Sequence, residues 1–260
     1  MFDDQSRVVP APERGRRGLA RAARRESATI RVALCVAVLA CLVAACGQRA
    51  GSTGGGAQTG SSAATALATN LKPLPGHEAD APKLTRKTTV RIQTTAGELV
   101  VDVFPEAAPN AAKRFVELVS AGFYDDTPIS RVVPGFVAQF GVNWREPHNA
   151  WKEKNFDDDP SYYALERGTL AFAKAGANSN STQVFINYAQ NNRLADPRYN
   201  FTVFGEVVSG MDVVDKFVRV GDPSYGLDQD RLWRDGGAYL ESLAEKPTMI
   251  QHATVVDAAR

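Results

Sequence analysis

Short segments in which apolar and polar residues alternate recur along the chain from residue 87 onward, and they constrain its fold more than any other feature. "TTVRIQTT" and "ELVVDVF" each place every second side chain on one face, and Ala96-Gly97 between them is a tight-turn signal, so they are expected to pair as a β-hairpin. "PISRVVPGFVAQFG" reads as two short strands broken at Pro134-Gly135, "GTLAFAKAG", "TQVFINY" and "NFTVFGEVV" as further strands, and "TMIQHATVVDA" as a closing one. Only two stretches carry helix signals. Ala112, Phe115, Val116 and Val119 recur at helical spacing before a stop at Gly122, and Ser209-Gly210-Met211-Asp212 has capping-box spacing ahead of Val213, Val214, Phe217 and Val218. Residues 143–159, with the acidic triplet Asp157-Asp158-Asp159, read as a solvated loop, and 220–246 show no clear periodicity. About eight strands and two helices imply a mainly β fold: a closed barrel whose ends the helices cap, since closure removes exposed strand edges.

The first 45 residues read as a targeting segment. They hold eight arginines and four acidic residues, and lead into "VALCVAVLACLVAAC", uncharged from Val32 to Cys46. That run suits a signal-peptide core and is short for a bilayer span of about 20 residues. Val43-Ala44-Ala45-Cys46 resembles the lipobox of bacterial lipoproteins, which implies cleavage before Cys46, lipidation of that residue, and an exported protein anchored on the extracytoplasmic side of the envelope. All three cysteines, Cys35, Cys41 and Cys46, lie here, so the folded part has neither a disulfide nor a thiol nucleophile. From residue 46 on, 22 basic residues face 25 acidic ones, a balance without the positive excess that nucleic acid requires. Residues 46–86 are rich in Gly, Ser, Thr and Ala, then in Pro, and are expected to be a flexible tether with a reach of about 35 Å. The expected organisation is thus a leader at 1–45, a tether at 46–86 and one folded domain at 87–260, a monomer on this reading.

"RVVPGFVAQFG", "LAFAKAG", "STQVFINYA" and "FTVFGEVVSGMDVVDKF" together resemble the successive signatures of the cyclophilin-type peptidyl-prolyl cis-trans isomerases, in order and with compatible spacing, over roughly residues 88–257. The resemblance implies an eight-stranded barrel with two capping helices and a peptide groove on its outer face. It also implies roles: Arg131 as the catalytic arginine, Phe136 and Val137 in the proline pocket, Gln139 on the substrate backbone, Ala173, Lys174 and Ala175 along the groove floor, and Gln183 as a second polar contact. Phe185 would form the pocket floor, Leu194 a wall, and Phe201 would stand where the family usually has histidine or tyrosine.

Elementary chemistry gives that set a purpose. Rotation about an X-Pro bond sacrifices amide resonance against a barrier of about 18–20 kcal/mol. Lowering it needs no nucleophile, metal or redox centre, so no cofactor is expected. It needs a dry cavity for the ring, groups that fix the flanking backbone, and a donor that favours the twisted amide, whose prolyl nitrogen regains lone-pair character. An always-protonated guanidinium supplies such a donor. The partners implied are proline-containing segments of exported proteins, and the membrane through Cys46.

Three departures bear on details. Lys174 replaces the family's asparagine with a long cation that either weakens backbone recognition, favours acidic flanking residues or points to solvent; Val137 is shorter and stiffer than the usual methionine; and Arg193 stands in place of a tryptophan that contacts cyclosporin-type inhibitors. Other chemistry is weakly signalled: His77, His148 and His252 are scattered, and Asp228/Asp230 lack EF-hand spacing. Two alternatives remain, a barrel that captures proline segments without turnover, which Lys174 favours and an intact Arg131 opposes, and a structural envelope lipoprotein whose 220–246 segment makes its main contact. On the enzyme reading that segment is separable from activity.

Overall fold

The computed structural model of the chain describes residues 67–256. The leader, Cys46 and the first part of the expected tether lie outside the described residues. β1 (Thr88–Thr94) and β2 (Gly97–Val103) form the expected hairpin, with Thr94 paired to Gly97 across the turn. The helix α1 (Pro109–Ser120) precedes β3 (Thr127–Val133) and β4 (Val137–Phe140), joined across the Pro134-Gly135 break. β5 (Thr169–Phe172), β6 (Val184–Asn187), β7 (Val203–Ser209) and β8 (Met249–Val256) complete the set. All pairings are antiparallel, and the strands close in the order β1-β2-β7-β5-β6-β4-β3-β8.

Alternation along these strands sorts the apolar residues into two clusters. Val90, Ile92, Val101, Phe140, Phe172, Ile186, Phe204 and Ile250 point inward and meet the buried face of α1, including Phe115 and Leu118. The other face of several strands carries a second cluster, with Val137, Ala171, Phe185 and Val203 at its centre.

α1 starts without a side-chain cap of its own, at Ala108 and Pro109. Its orphan amides are met from elsewhere: the Asp159 carboxylate accepts from the Asn110 N–H at 3.1 Å and the Ala111 N–H at 2.9 Å, a negative charge at the positive end of the helix. Burial pushes the Asp159 pKa above its ordinary value, and those two hydrogen bonds pull in the opposite direction. The acidic triplet is therefore not a solvated loop: Asp159 is buried and Asp158, described below, is half of an ion pair.

Three further expectations are corrected. Residues 67–86 are not a free tether. Leu71, Leu74 and Leu84 are buried, the Leu74 N–H donates to Tyr162 O and the Ala164 N–H to Lys72 O, and the Glu206 carboxylate accepts from Thr69 Oγ1 and the Asn70 N–H. Burial worth about 2 kcal/mol per leucine offsets the ordering cost that the surrounding small residues and prolines alone could not meet. The second expected helix is a single turn, α2 (Met211–Val214), whose cap is Gly210 at φ 90°; Ser209 ends β7 and makes no capping bond. A third helix, α3 (Gln229–Ser242), lies in the stretch without periodicity. It bends at Gly236, φ 51°, where a Cβ would sit 2.2 Å from the Trp144 indole. Leu232 and Tyr239 anchor α3 in a small core with Val142, Val220 and Leu227.

Candidate active site

The outer face of the barrel carries the site because of one irregularity in β3. Ile129 pairs with Phe140 and Arg131 with Gln139, so two residues on β3 advance against one on β4 at Ser130. Such a bulge reverses the phase of alternation. Ile129 and Phe140 face the interior, whereas Arg131 and Gln139 come out beyond the bulge. From there the pairings run laterally: Gln139 with Phe185 on β6, and Phe185 with Ala171 on β5. Paired residues share a face, so Arg131, Gln139, Phe185 and Ala171 form one row across four strands.

At one end of the row the guanidinium is held on two sides. Arg131 Nε donates to the Ser224 carbonyl at 2.7 Å and Nη1 to Gln139 Oε1 at 3.3 Å, while its Cζ lies 5.6 Å from the centroid of the Phe136 ring. Arg131 is only 9% exposed, and burial lowers its pKa from the ordinary arginine value, with Tyr225 nearby acting the other way. An arginine starts so far above neutrality that it stays cationic at physiological pH. Gln139 in turn donates through Nε2 to Gln183 Oε1 at 2.8 Å.

The apolar side of the row is formed by Phe136, Val137, Phe185, Leu194 and Phe201, which belong to one cluster. The Phe185 and Phe201 rings meet nearly edge to face at 5.7 Å, and the Phe201 N–H donates to Leu194 O. Val137 and Phe185 are buried beneath, and Phe136, Leu194 and Phe201 are partly open to solvent. The Ala173 N–H donates to Gln183 O and the Ala175 N–H to Ser179 Oγ, which fixes the strand-like segment beside the amides. Arg193, where the resemblance anticipated tryptophan, is exposed.

Lys174 departs from two of the readings offered for it, the one toward solvent and the one toward acidic flanking residues. Its side chain is 3% exposed, and Nζ lies 2.6 Å from Asp158 Oδ2 and 5.7 Å from the centroid of the Phe201 ring. Asp158 also accepts from Asn180 Nδ2 at 2.6 Å. The ammonium thus neither points to solvent nor stands free to attract acidic residues; it braces the loop at Asp158 against the wall at Phe201.

Sequence reasoning missed the groups contributed by residues 221–229. The turn from Asp222 to Gly226, closed by reciprocal backbone hydrogen bonds, supplies the Ser224 carbonyl to Arg131 and exposes the Tyr225 ring, 52% open, at the edge of the site. The Leu227 N–H donates to the carbonyl of bulged Ser130 at 2.8 Å. Gly226 lies so close there that a Cβ would fall 2.3 Å from Ser130 O, in a backbone with φ 74° that disfavours any side chain. The 220–246 segment therefore contributes directly to the site, and nothing in its hydropathy pattern signals the contact. Among the described residues no three His, Cys, Asp or Glu side chains group as a metal site would require.

Comparison with known proteins bears on the family and the fold. The family described as cyclophilin type peptidyl-prolyl cis-trans isomerase/CLD matches residues 89–231. A peptidyl-prolyl cis-trans isomerase from Acinetobacter baylyi is 38% identical over 149 residues, covering 55% of this chain and 78% of the relative. Peptidyl-prolyl cis-trans isomerase B of Escherichia coli is 36% identical, covering 54% of this chain and 90% of the relative. Among solved structures, a cyclophilin-type isomerase of Cryptosporidium parvum superposes with a TM-score of 0.50 at 21% identity, over 67% of this chain and 100% of that one, a likeness of fold. The chain belongs to the cyclophilin-type peptidyl-prolyl cis-trans isomerase family.

Proposed function

We propose that this chain accelerates cis/trans isomerisation of X-Pro bonds in proteins outside the cytoplasm, acting as a monomer held to the envelope by a lipidated Cys46. One observation carries the catalytic half: a guanidinium fixed on two sides stands at the end of an apolar cluster, with two amides beside it. On this reading the pyrrolidine ring rests against Phe136, Phe185, Leu194 and Phe201. Gln139 and Gln183 hold the flanking backbone, with Ala173, Lys174 and Ala175 lining the groove through their main chain. Val137 supports Phe185 from beneath. Arg131 Nη2, which has no hydrogen-bond partner among the described residues, donates to the prolyl nitrogen as the amide twists. The bond is stronger in the twisted geometry than in the planar one, which is what acceleration requires.

A protease-coupled isomerisation assay on X-Pro tetrapeptides tests this. The expected result is acceleration of the slow phase for several residues preceding proline. A folded protein that binds such peptides without accelerating them would instead be the capturing module. That alternative has lost its particular support, since the Lys174 cation is committed to Asp158.

The location rests on the leader, its apolar run and the cysteine that follows small residues. The expected result is that intact mass from a bacterial host gives a chain beginning at Cys46 with added acyl mass, and that Cys46→Ala abolishes the addition. An unmodified Cys46 in the parent would refute the anchor without touching the enzyme.

A further inference from the structure

The hydrogen bonds that reach the site do not stop at Gln183. Its Nε2 donates onward to Gln229 Oε1 at 3.0 Å, so Arg131, Gln139, Gln183 and Gln229 form a relay in which every bond runs the same way. The direction is imposed by chemistry. A guanidinium can only donate, so Gln139 must turn its oxygen toward Arg131 and its nitrogen toward Gln183, and Gln183 must do likewise toward the next group. The relay therefore requires an acceptor at its far end. Gln229 provides one from the first residue of α3, next to Asp228, whose side chain accepts from the Arg231 N–H at 2.9 Å and whose own N–H donates to Tyr239 Oη at 3.1 Å. Gln229 itself is only partly buried, so its place is fixed by the helix end on which it sits and not by packing of its own side chain.

We propose that Gln229 is a positioning residue of the isomerase site: as terminal acceptor it sets the polarity of the Gln183 and Gln139 amides, and through them the pose of Arg131. The inference rests on the reading of those three residues as the groups that face substrate. Without an acceptor at 229, Gln183 is free to reverse its amide. It would then turn Nε2 toward Gln139 Nε2, two donors face to face, and Gln139 could relieve that clash only by turning a donor toward Arg131. Each amide of the ordered relay keeps a second N–H that the relay does not use, directed consistently for a peptide carbonyl, and disorder in the relay scatters that donor too. α3 is in this view part of the enzyme's machinery.

The test is steady-state kinetics on the full-length chain with three substitutions at one position, beside Arg131→Ala. Gln229→Met keeps length and removes the acceptor; Gln229→Lys offers only donors; Gln229→Glu keeps the acceptor. The expected result is a loss in kcat/KM of roughly 5- to 10-fold for Met and at least as much for Lys, the scale of one hydrogen bond, with thermal midpoints close to the parent's, and recovery to within about 2-fold for Glu. The side-chain amide proton signals of Gln139 and Gln183 in ¹⁵N-edited spectra should be well dispersed in the parent and Glu forms and merge toward free-amide positions in Met and Lys. Parent-like kinetics in Met and Lys, with Arg131→Ala inactive, would overturn the inference while leaving the Arg131 reading intact. An equal loss in all three would overturn it in favour of a packing role for the helix end. Full activity in Arg131→Ala would remove the underlying reading and this inference together.

Discussion

Arg131→Ala should lower kcat/KM for X-Pro isomerisation by roughly 100- to 1,000-fold while leaving the barrel folded, as expected when a donor aimed at developing charge is removed from a water-poor site. The residue sits beyond the β3 bulge on the outer face, and its loss removes the bonds to Ser224 and Gln139 without opening the interior core. Far-ultraviolet dichroism and a thermal midpoint near the parent's would separate catalysis from folding. Arg131→Lys should recover only part of the rate, because a point charge with a tetrahedral set of donors cannot bond Ser224 and Gln139 and still present a planar N–H to the proline. A folded Arg131→Ala protein retaining more than about a third of the parent rate would rule out the donor role, given the magnitude such donors carry elsewhere.

The second large effect concerns stability. Asp158→Ala should destabilise the fold by about 3–5 kcal/mol, because it leaves the Lys174 ammonium buried without its counter-charge. Combining Lys174→Met with Asp158→Leu should restore most of that loss, since apolar replacement of a whole buried pair is often close to neutral. Urea unfolding of Asp158→Leu, Lys174→Met and the double gives the coupling directly. A cost below about 1 kcal/mol for Asp158→Ala would mean that the lysine simply extends to water, as long cationic side chains do when a path is open. Because Lys174 Nζ also lies by the Phe201 ring, the double variant should reveal whether the pair shapes the pocket wall: restored stability with a raised KM would place its effect there.

What the sequence discloses and what it hides follow from how far each feature is local. All eight strands announce themselves, since alternation is a property of consecutive residues, and Arg131, Gln139, Phe185 and Phe201 each lie within a quoted stretch of the motif series. The partners of those residues do not. Asp158 is 16 residues from Lys174 and sits in a segment whose composition suggests solvated loop, so only the folded chain reveals the pair. α3 escapes because Gly236-Gly237 interrupts it and splits its apolar residues into two short sets that no single helical period spans. The arm at 67–86 escapes for a different reason. Its leucines are few and separated by Pro, Gly and charged residues, a pattern of neither helix nor strand, and they find cover only because the barrel's outer cluster leaves room beside Phe104, Tyr163 and Leu165.

The bulge at Ser130 also bears on what this strand can tolerate. Because it decides which residues of β3 look inward, the backbone shape at Ser130 matters more than the identity of its side chain. Ser130 is replaceable by any small residue that keeps its carbonyl available to the Leu227 N–H, whereas straightening the bulge with the same number of residues would carry regular alternation through Ser130 and turn Arg131 inward beside Ile129. One extra residue in a strand is what lets Ile129 and Arg131, two positions apart, stand on opposite sides of the same wall.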